Sequence, residues 1–415
     1  MDGYYWYGLK SEVYVHLYEN EVLVYDTKQK ICKISKDKWV IKLIKTAEEE
    51  NSLGCVLIDE NWQKPSVQNW IKLTCKERMA VVFPYYRKKE HPVILRPLLS
   101  LNKDVDKIKD ERFMSFYWGG NVKHFLNSLN IYLNTNCSNR CPDCKNYCRQ
   151  FLFCTNYGGK TDYSITPRML ESILSELNGF PLKTVNIFGG DIYDRKLLNL
   201  LENATKQYSL CFRFYVHYQN YRTHTFVDSQ EVHLLIPANF DISCLVTTCS
   251  QLKDNNKVLH FVIEKKEDIQ VAEEFINNNG IALYNIHPFY TGKNESFFKE
   301  NVYMRKSELV NIKLSMREIF RNKKLNANYF GVLYIMPDGS IKTQIDRQTL
   351  GLVGQDELID VIYKELITNT AWRHIRGMKP CSKCVFQYLC PPPSNYETII
   401  GKNNLCYLRN NKFSV

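Results

Sequence analysis

Residues 130–144 read NIYLNTNCSNRCPDC, a short run with strand character that empties directly into three closely spaced cysteines. Apolar Ile131 and Leu133 alternate with Asn130, Tyr132 and Asn134, the two-residue period of a pleated strand. Cys137, Cys141 and Cys144 follow with three and then two residues between them. Thiolates are the usual protein ligands of iron–sulfur clusters, and three on one short loop can hold three corners of a cubane while leaving the fourth iron open to a small molecule. Zinc sites use similar spacings, so on the residues alone a structural zinc site stands as the alternative. The strand immediately before the loop favours the cluster.

Beyond this loop the chain alternates strands with helices. After NIYLNT the strand candidates are TVNIFG (184–189), CFRFYVHY (211–218), VHLLIP (232–237), LHFVIE (259–264) and ALYNIHP (282–288). Between the first two, Thr166-Pro167 suits an N-cap and first helical position, and Met169, Leu170, Ile173, Leu174 and Leu177 form one apolar stripe. A second helix is expected at 267–279, with Ala272, Phe275 and Ile276 on one face and Gly280 as the stop. Repeated strand–helix–parallel strand units cross over with one hand and curl into a barrel-like sheet whose strand C-termini present the site. The fold class expected is therefore α/β, a partial (βα)6 barrel over residues 121–300. Phe188, Gly189, Gly190 and Asp191 end the second strand. Paired glycines admit close backbone approach, and the carboxylate can hold an ammonium group.

The two flanks read differently. VYVHLY (13–18), EVLVYD (21–26) and KICKIS (30–35) form a β-meander, followed by helices at Lys38–Glu48 and Val67–Arg78, which makes residues 1–120 a compact α+β unit. Residues 85–124 mix charge and proline without periodicity and hold the first boundary. Residues 301–415 are expected to begin with a helix around 305–324, continue in a hairpin over 329–344 turned at Pro337-Asp338-Gly339, and end in a cysteine-rich tail. That tail, CSKCVFQYLCPPPSNYE followed by NNLC, places Cys381, Cys384, Cys390 and Cys406 where four thiolates can close a cluster or a zinc site completely. Cys148 and Cys154 read as buried free thiols.

The formal charge of +11, from 55 basic and 44 acidic residues, is spread along 415 residues and argues only weakly for nucleic acid. The N-terminus lacks a basic and apolar signal pattern, and no stretch is long and apolar enough to span a bilayer, so a cytoplasmic protein without membrane attachment is expected. Fifteen cysteines in such a setting point to metal rather than to a disulfide framework.

The cysteine loop and the Gly-Gly-Asp turn together resemble the radical S-adenosylmethionine (radical SAM) superfamily. The tail resembles the SPASM domain of its peptide-modifying members, and the N-terminal unit resembles PqqD-like leader-peptide recognition domains. Over nearly its full length the chain is similar to the pseudo-radical-SAM proteins of peptide maturation systems. The resemblance implies one 4Fe-4S cluster on Cys137, Cys141 and Cys144 that binds S-adenosylmethionine, with Gly189, Gly190 and Asp191 at the methionyl end. It also implies an auxiliary 4Fe-4S cluster on Cys381, Cys384, Cys390 and Cys406. The partner implied is a ribosomally synthesised precursor peptide, with a partner maturase or transporter. Asp143 stands where the superfamily carries an aromatic residue against adenine, and Asp191 where it carries glutamate. Ser394, Thr343 and Gln344 stand at positions of further SPASM cysteines. Two functions are therefore expected: a radical maturase acting on a peptide, or a non-catalytic scaffold that binds a precursor peptide or a partner enzyme.

Overall fold

The computed structural model describes residues 4–86, 91–97, 119–137, 139, 141, 143–154, 163–252 and 256–408. Most of the first expected boundary falls outside them.

The N-terminal unit holds β1 (Tyr5–Leu9), β2 (Val13–Tyr18), β3 (Glu21–Asp26), β4 (Ile31–Ser35), α1 (Lys38–Ala47), β5 (Cys55–Ile58), α2 (Pro65–Lys76) and β6 (Ala80–Pro84). The meander forms as expected, in the order β2-β3-β4, but it is joined by a second sheet, β5-β1-β6, that the sequence pattern does not predict. Its central strand, YWYGL, is aromatic and short, and pairs only with segments some fifty residues and more away. Asp37 caps α1 by accepting from the amides of Trp39 and Val40, and Val40, Leu43, Ile44 and Ala47 present one buried face. α2 starts at Pro65 itself, where a missing N–H costs nothing.

Strands β7 (Ser128–Tyr132), β8 (Thr184–Phe188), β9 (Cys211–His217), β10 (Glu231–Ile236), β11 (Lys257–Ile263) and β12 (Tyr284–Pro288) are the six expected, and all run parallel, in sequential order. Helices α4 (Pro167–Leu177), α5 (Arg195–Tyr208), α6 (Ile242–Gln251) and α7 (Lys266–Asn278) connect them; α3 (Cys144–Gln150) follows the cysteine loop. The Thr166 hydroxyl accepts from the Met169 amide at 3.2 Å, and Leu170, Ile173, Leu174 and Leu177 are buried, as the stripe predicts.

Beyond β12 come α8 (Glu295–Val302), α9 (Lys306–Val310), α10 (Met316–Asn322), β13 (Val332–Ile335), β14 (Ser340–Lys342), β15 (Gly351–Leu352), α11 (Leu358–Thr368) and α12 (Asn395–Ile400). The single helix expected at 305–324 is broken in two. The carbonyls of Ile312 and Leu314 accept from the Tyr25 hydroxyl, which in turn accepts from the Leu314 amide at 2.8 Å, and Ser315 with Glu318 forms a capping box that starts α10 afresh. The hairpin also joins the main sheet: β13 runs parallel to β7, and the order is β12-β11-β10-β9-β8-β7-β13-β14-β15.

Strands β7 to β11 are buried on both faces, and β12, at the edge, is partly exposed. Outward, Leu129, Ile131, Val185, Ile187, Phe214, Leu234 and Phe261 pack under the helices. Inward, one ring from each strand between β13 and β12 joins a continuous ladder. Tyr334 meets Tyr132 with centroids 6.4 Å apart, Tyr132 meets Phe188 at 4.7 Å, Phe188 meets Tyr215 at 4.3 Å and Tyr215 meets His233 at 4.2 Å. His233, His260 and His287 continue it at 5.0 and 5.2 Å, and Phe151, after α3, closes it against His287 at 5.0 Å. The imidazoles are also bonded in line: Glu231 Oε1 to His233 Nε2 at 2.7 Å, His233 Nδ1 to His260 Nε2 at 2.7 Å, and His260 Nδ1 to His287 Nε2 at 2.9 Å.

Burial, with the two neighbouring imidazoles adding, holds His260 down at about 2. The groups facing it are His233, His287 and the Tyr215 ring, with Glu231 and Arg213 at the far end of the chain of imidazoles. An unfolded histidine titrates near pH 6.5. Below that pH the unfolded chain binds a proton that folded His260 refuses, so stability falls as pH drops from about 6.5 downward. At pH 5 this imidazole alone is expected to cost about 2 kcal/mol relative to pH 7. Urea denaturation at both pH values should show the loss, and His260→Phe should flatten the pH slope; an unchanged slope would contradict the assignment.

Candidate metal centre

The cysteine loop leaves the C-terminal end of β7 and lies across the C-terminal end of β8. Asn134 pins it. Its Oδ1 accepts from the amides of Gly190 and Asp191, both at 3.2 Å, and its Nδ2 donates to the Asp191 carbonyl at 2.5 Å. A methyl at Gly190 would sit 1.7 Å from the Asn136 carbonyl oxygen and 2.8 Å from Cys137 Cβ. The close backbone approach expected at this glycine pair is thus made by the protein's own loop, one residue ahead of its first cysteine.

A third strand end completes the site. At the end of β9, His217 Nε2 lies 3.4 Å from Cys141 Sγ, and Asn220 Nδ2 lies 3.3 Å from Cys137 Sγ and 2.8 Å from the Gly190 carbonyl. Asn139, inside the cysteine loop, donates to Asn220 Oδ1 at 2.7 Å and meets His217 Nδ1 at 3.0 Å. His217 is buried, which lowers its pKa to about 4. Cys144 opens α3 and is buried beside Cys154. Burial pushes the Cys141 thiol up to about 12, with Cys144 and Cys137 adding to the rise. Sequence reasoning misses His217 and Asn220, which look like the tail of a strand; their one signal is a run of polar residues at the carboxyl end of a parallel strand, where ligands of such sheets bind.

Asp191 is engaged. Its Oδ1 accepts from the Tyr193 amide at 3.0 Å, and its Oδ2 pairs with Arg222 Nη2 at 3.1 Å; the guanidinium lies 5.5 Å from the Tyr193 ring centre. Asp143 precedes α3, and it adds to a rise in the Glu264 pKa whose main cause is burial. Beneath α3, Tyr147, Phe153 and Phe289 pack over the inner face of the sheet, with Tyr147 4.6 Å from Phe289 and 5.0 Å from Phe153.

The tail gathers its cysteines separately. Burial raises the Cys390 thiol, with Cys384, Cys381 and Cys406 adding, while Arg376 opposes the rise. Arg376 Nη1 lies 3.8 Å from Cys381 Sγ and its Nη2 pairs with buried Glu397 at 2.7 Å. Asn404 Nδ2 lies 3.4 Å from Cys406 Sγ. Ser394 opens α12 in a capping box with Glu397, Thr343 bonds Thr370 at 2.6 Å, and Gln344 bonds Asn395 at 2.7 Å. Among the described residues, no three His, Cys, Asp or Glu side chains are drawn together tightly enough to hold a metal ion. No helix among them is long and apolar enough to cross a membrane.

No family model matches the chain, and no curated protein matches it. Among solved structures the chain is similar to Streptococcus suis SuiB bound to precursor peptide SuiA, with 13% identity over 98% of this chain and 99% of that one and a TM-score of 0.47. It is also similar to Streptococcus suis SuiB alone (13% identity, 97% and 100% covered, TM-score 0.46) and to SuiB bound to S-adenosylmethionine (12%, 99% and 100%, 0.44).

Gly190→Ala forces a methyl into the Asn136 carbonyl and is expected to undock the cysteine loop from β8, at a cost of about 1–3 kcal/mol. Chemical denaturation, together with alkylation rates of Cys137 and Cys141, would measure it; alkylation as slow as in the unsubstituted protein would refute the packing argument.

Proposed function

We propose that this chain is a radical SAM-type protein that holds an iron–sulfur cluster on Cys137, Cys141 and Cys144 and acts on a ribosomally made peptide. The observation that carries the reading is the meeting of three parallel strand ends at one loop: the cysteines after β7, the Gly-Gly-Asp turn after β8 and the His217–Asn220 segment after β9. The donor set suits the group, since three thiols lie on one loop and N–H groups meet the sulfurs of two of them, Cys137 and Cys141. A reduced cluster there would supply the electron that cleaves S-adenosylmethionine to a 5′-deoxyadenosyl radical.

The chain's own residues set the stage. Cys137, Cys141 and Cys144 would hold the cluster, and Asn134 and Gly190 hold the loop that carries them. Asp191 would be the carboxylate for the methionyl ammonium, and its pairing with Arg222 opposes that role. The packed inner face under α3 excludes water from the neighbourhood. The four tail cysteines would hold an auxiliary cluster that leaves no iron open. A groove of about 340 Å³ between the N-terminal unit and α10, lined by Tyr14, Val15, Glu48, Leu53, Ile94 and Phe320, suits an extended peptide.

The Asp191–Arg222 pair also favours a second reading, a scaffold that binds peptide or a partner maturase without cleaving S-adenosylmethionine, because the carboxylate already has its cation. One experiment separates the two. Anaerobically reconstituted protein is assayed for iron, sulfide and electron paramagnetic resonance, then for 5′-deoxyadenosine with S-adenosylmethionine and the partner peptide. The enzyme reading expects two cubanes, one perturbed by S-adenosylmethionine, with deoxyadenosine formed; a cluster in the tail alone and no deoxyadenosine would leave the scaffold.

Arg222→Gln should release Asp191. Because the pair is exposed, worth up to about 1 kcal/mol, S-adenosylmethionine is expected to bind up to about fivefold more tightly in equilibrium dialysis. Unchanged or weaker binding would remove Asp191 from the ammonium site.

A further inference from the structure

We infer that His217 and Asn220 donate hydrogen bonds to the ligand sulfurs of Cys141 and Cys137 and thereby set the reduction potential of the centre these cysteines hold. The inference rests on the cluster reading of the preceding section and adds two residues that lie outside the cysteine motif and outside the Gly-Gly-Asp turn.

The direction of each hydrogen bond follows from its neighbours. Asn220 Nδ2 lies 2.8 Å from the Gly190 carbonyl, which can only accept, so this atom is the amide nitrogen and its partner Oδ1 is the acceptor. Asn139 must then present its own amide nitrogen to Asn220 Oδ1 at 2.7 Å, and the same nitrogen meets His217 Nδ1 at 3.0 Å. The Gln219 backbone amide also donates to His217 Nδ1, at 3.3 Å. With two donors aimed at it, Nδ1 is the unprotonated nitrogen of the ring, and the ring proton resides on Nε2. That N–H points at Cys141 Sγ, 3.4 Å away. The second hydrogen of the Asn220 amide reaches Cys137 Sγ at 3.3 Å.

Two consequences follow. First, His217 is not a fourth ligand. Coordination through Nε2 would require the proton to move to Nδ1, where it would face the Gln219 and Asn139 donors instead of an acceptor. The three-cysteine site keeps its open corner. Second, the donors are matched to charged sulfur. A neutral thiol is a weak acceptor, whereas a thiolate bound to iron carries negative charge and takes N–H groups well. Hydrogen bonds to cluster sulfurs stabilise the reduced, more negative state and raise the reduction potential. The rigidity of the arrangement supports this role. His217 ends β9 and lies against Tyr218, and Asn220 ties the loop to the Gly190 carbonyl, so contacts other than those to the cysteines hold both donors.

The test is a redox titration of anaerobically reconstituted protein followed by electron paramagnetic resonance, with iron and sulfide measured in parallel. His217→Phe and Asn220→Ala are expected to retain the iron of the three-cysteine site and to shift its midpoint potential downward. His217→Gln, which restores an N–H donor, is expected to recover much of the shift. The tail cluster, held by different elements, should not move. An unchanged midpoint in iron-loaded His217→Phe overturns the inference and leaves the cluster reading intact. Absence of a cubane on Cys137, Cys141 and Cys144 in the unsubstituted protein overturns both. Should the variants fail to load, unsubstituted protein carrying 15N-histidine tests the same hydrogen bond by pulsed paramagnetic resonance. A weak coupling to one histidine nitrogen supports the hydrogen bond; no coupling, or one strong enough for direct ligation, overturns it.

Discussion

The structure of the site depends on one close approach, that of the Asn136 carbonyl over Gly190. No side chain can occupy that space, and Asn134 saturates the amides of Gly190 and Asp191 beside it. The contact places a loop with little regular structure of its own against the end of a buried parallel strand, whose position is fixed by neighbours on both sides. From there the first cysteine reaches Asn220, the second reaches His217, and the third begins a helix. A cysteine loop without this anchor would be a flexible chelator. With it, sulfurs of the loop face donors supplied by a different strand.

The main sheet explains how the anchor is held. Its outer face is apolar and packs under four helices in the ordinary way, with buried aliphatic side chains each worth about 1.5–3 kcal/mol. Its inner face is a stack of rings interrupted by polar atoms. Asn186 bonds Asn130 at 2.8 Å, and the three histidines bond one another. Such a face offers few rotamers, because its rings stack in sequence and its imidazoles and amides are held by specific partners. The residues after the cysteine loop close over this ladder through Phe151 and Phe153, and Gln150 exchanges two hydrogen bonds with the Tyr290 backbone at 3.0 and 2.8 Å. The loop is thus clamped at both ends.

The two sulfur sites differ in what surrounds them. At the loop site an imidazole faces the Cys141 sulfur and a side-chain amide faces the Cys137 sulfur. The tail site has a buried guanidinium, Arg376, whose charge is shared between Cys381 and Glu397. Unpaired, either member of that ion pair would be costly to bury, so Arg376 and Glu397 depend on each other. The tail also meets the N-terminal meander: Tyr14, Leu23 and Tyr25 share a core with Val385, Phe386 and Leu389, and His16 bonds the Val385 carbonyl. The N-terminal unit therefore covers part of the tail that carries the four cysteines.

The six parallel strands, the Thr166 cap, the apolar stripe of the following helix and the grouping of cysteines are legible along the chain, because each is governed by local periodicity, local hydrogen bonding or short spacing. Four features are not. The β5-β1-β6 sheet pairs remote segments; the 305–324 helix breaks because Tyr25 captures its carbonyls; β13 joins β7 across two hundred residues; and His217 and Asn220 reach the cysteines across some eighty. All four are contacts between residues distant in sequence, for which pattern carries no signal. Local chemistry along the chain dictates which elements form and which sulfurs lie near one another. What faces those sulfurs is dictated by folding alone, because hydrogen-bond direction at Cys137 and Cys141 is set by neighbours brought in from other strands.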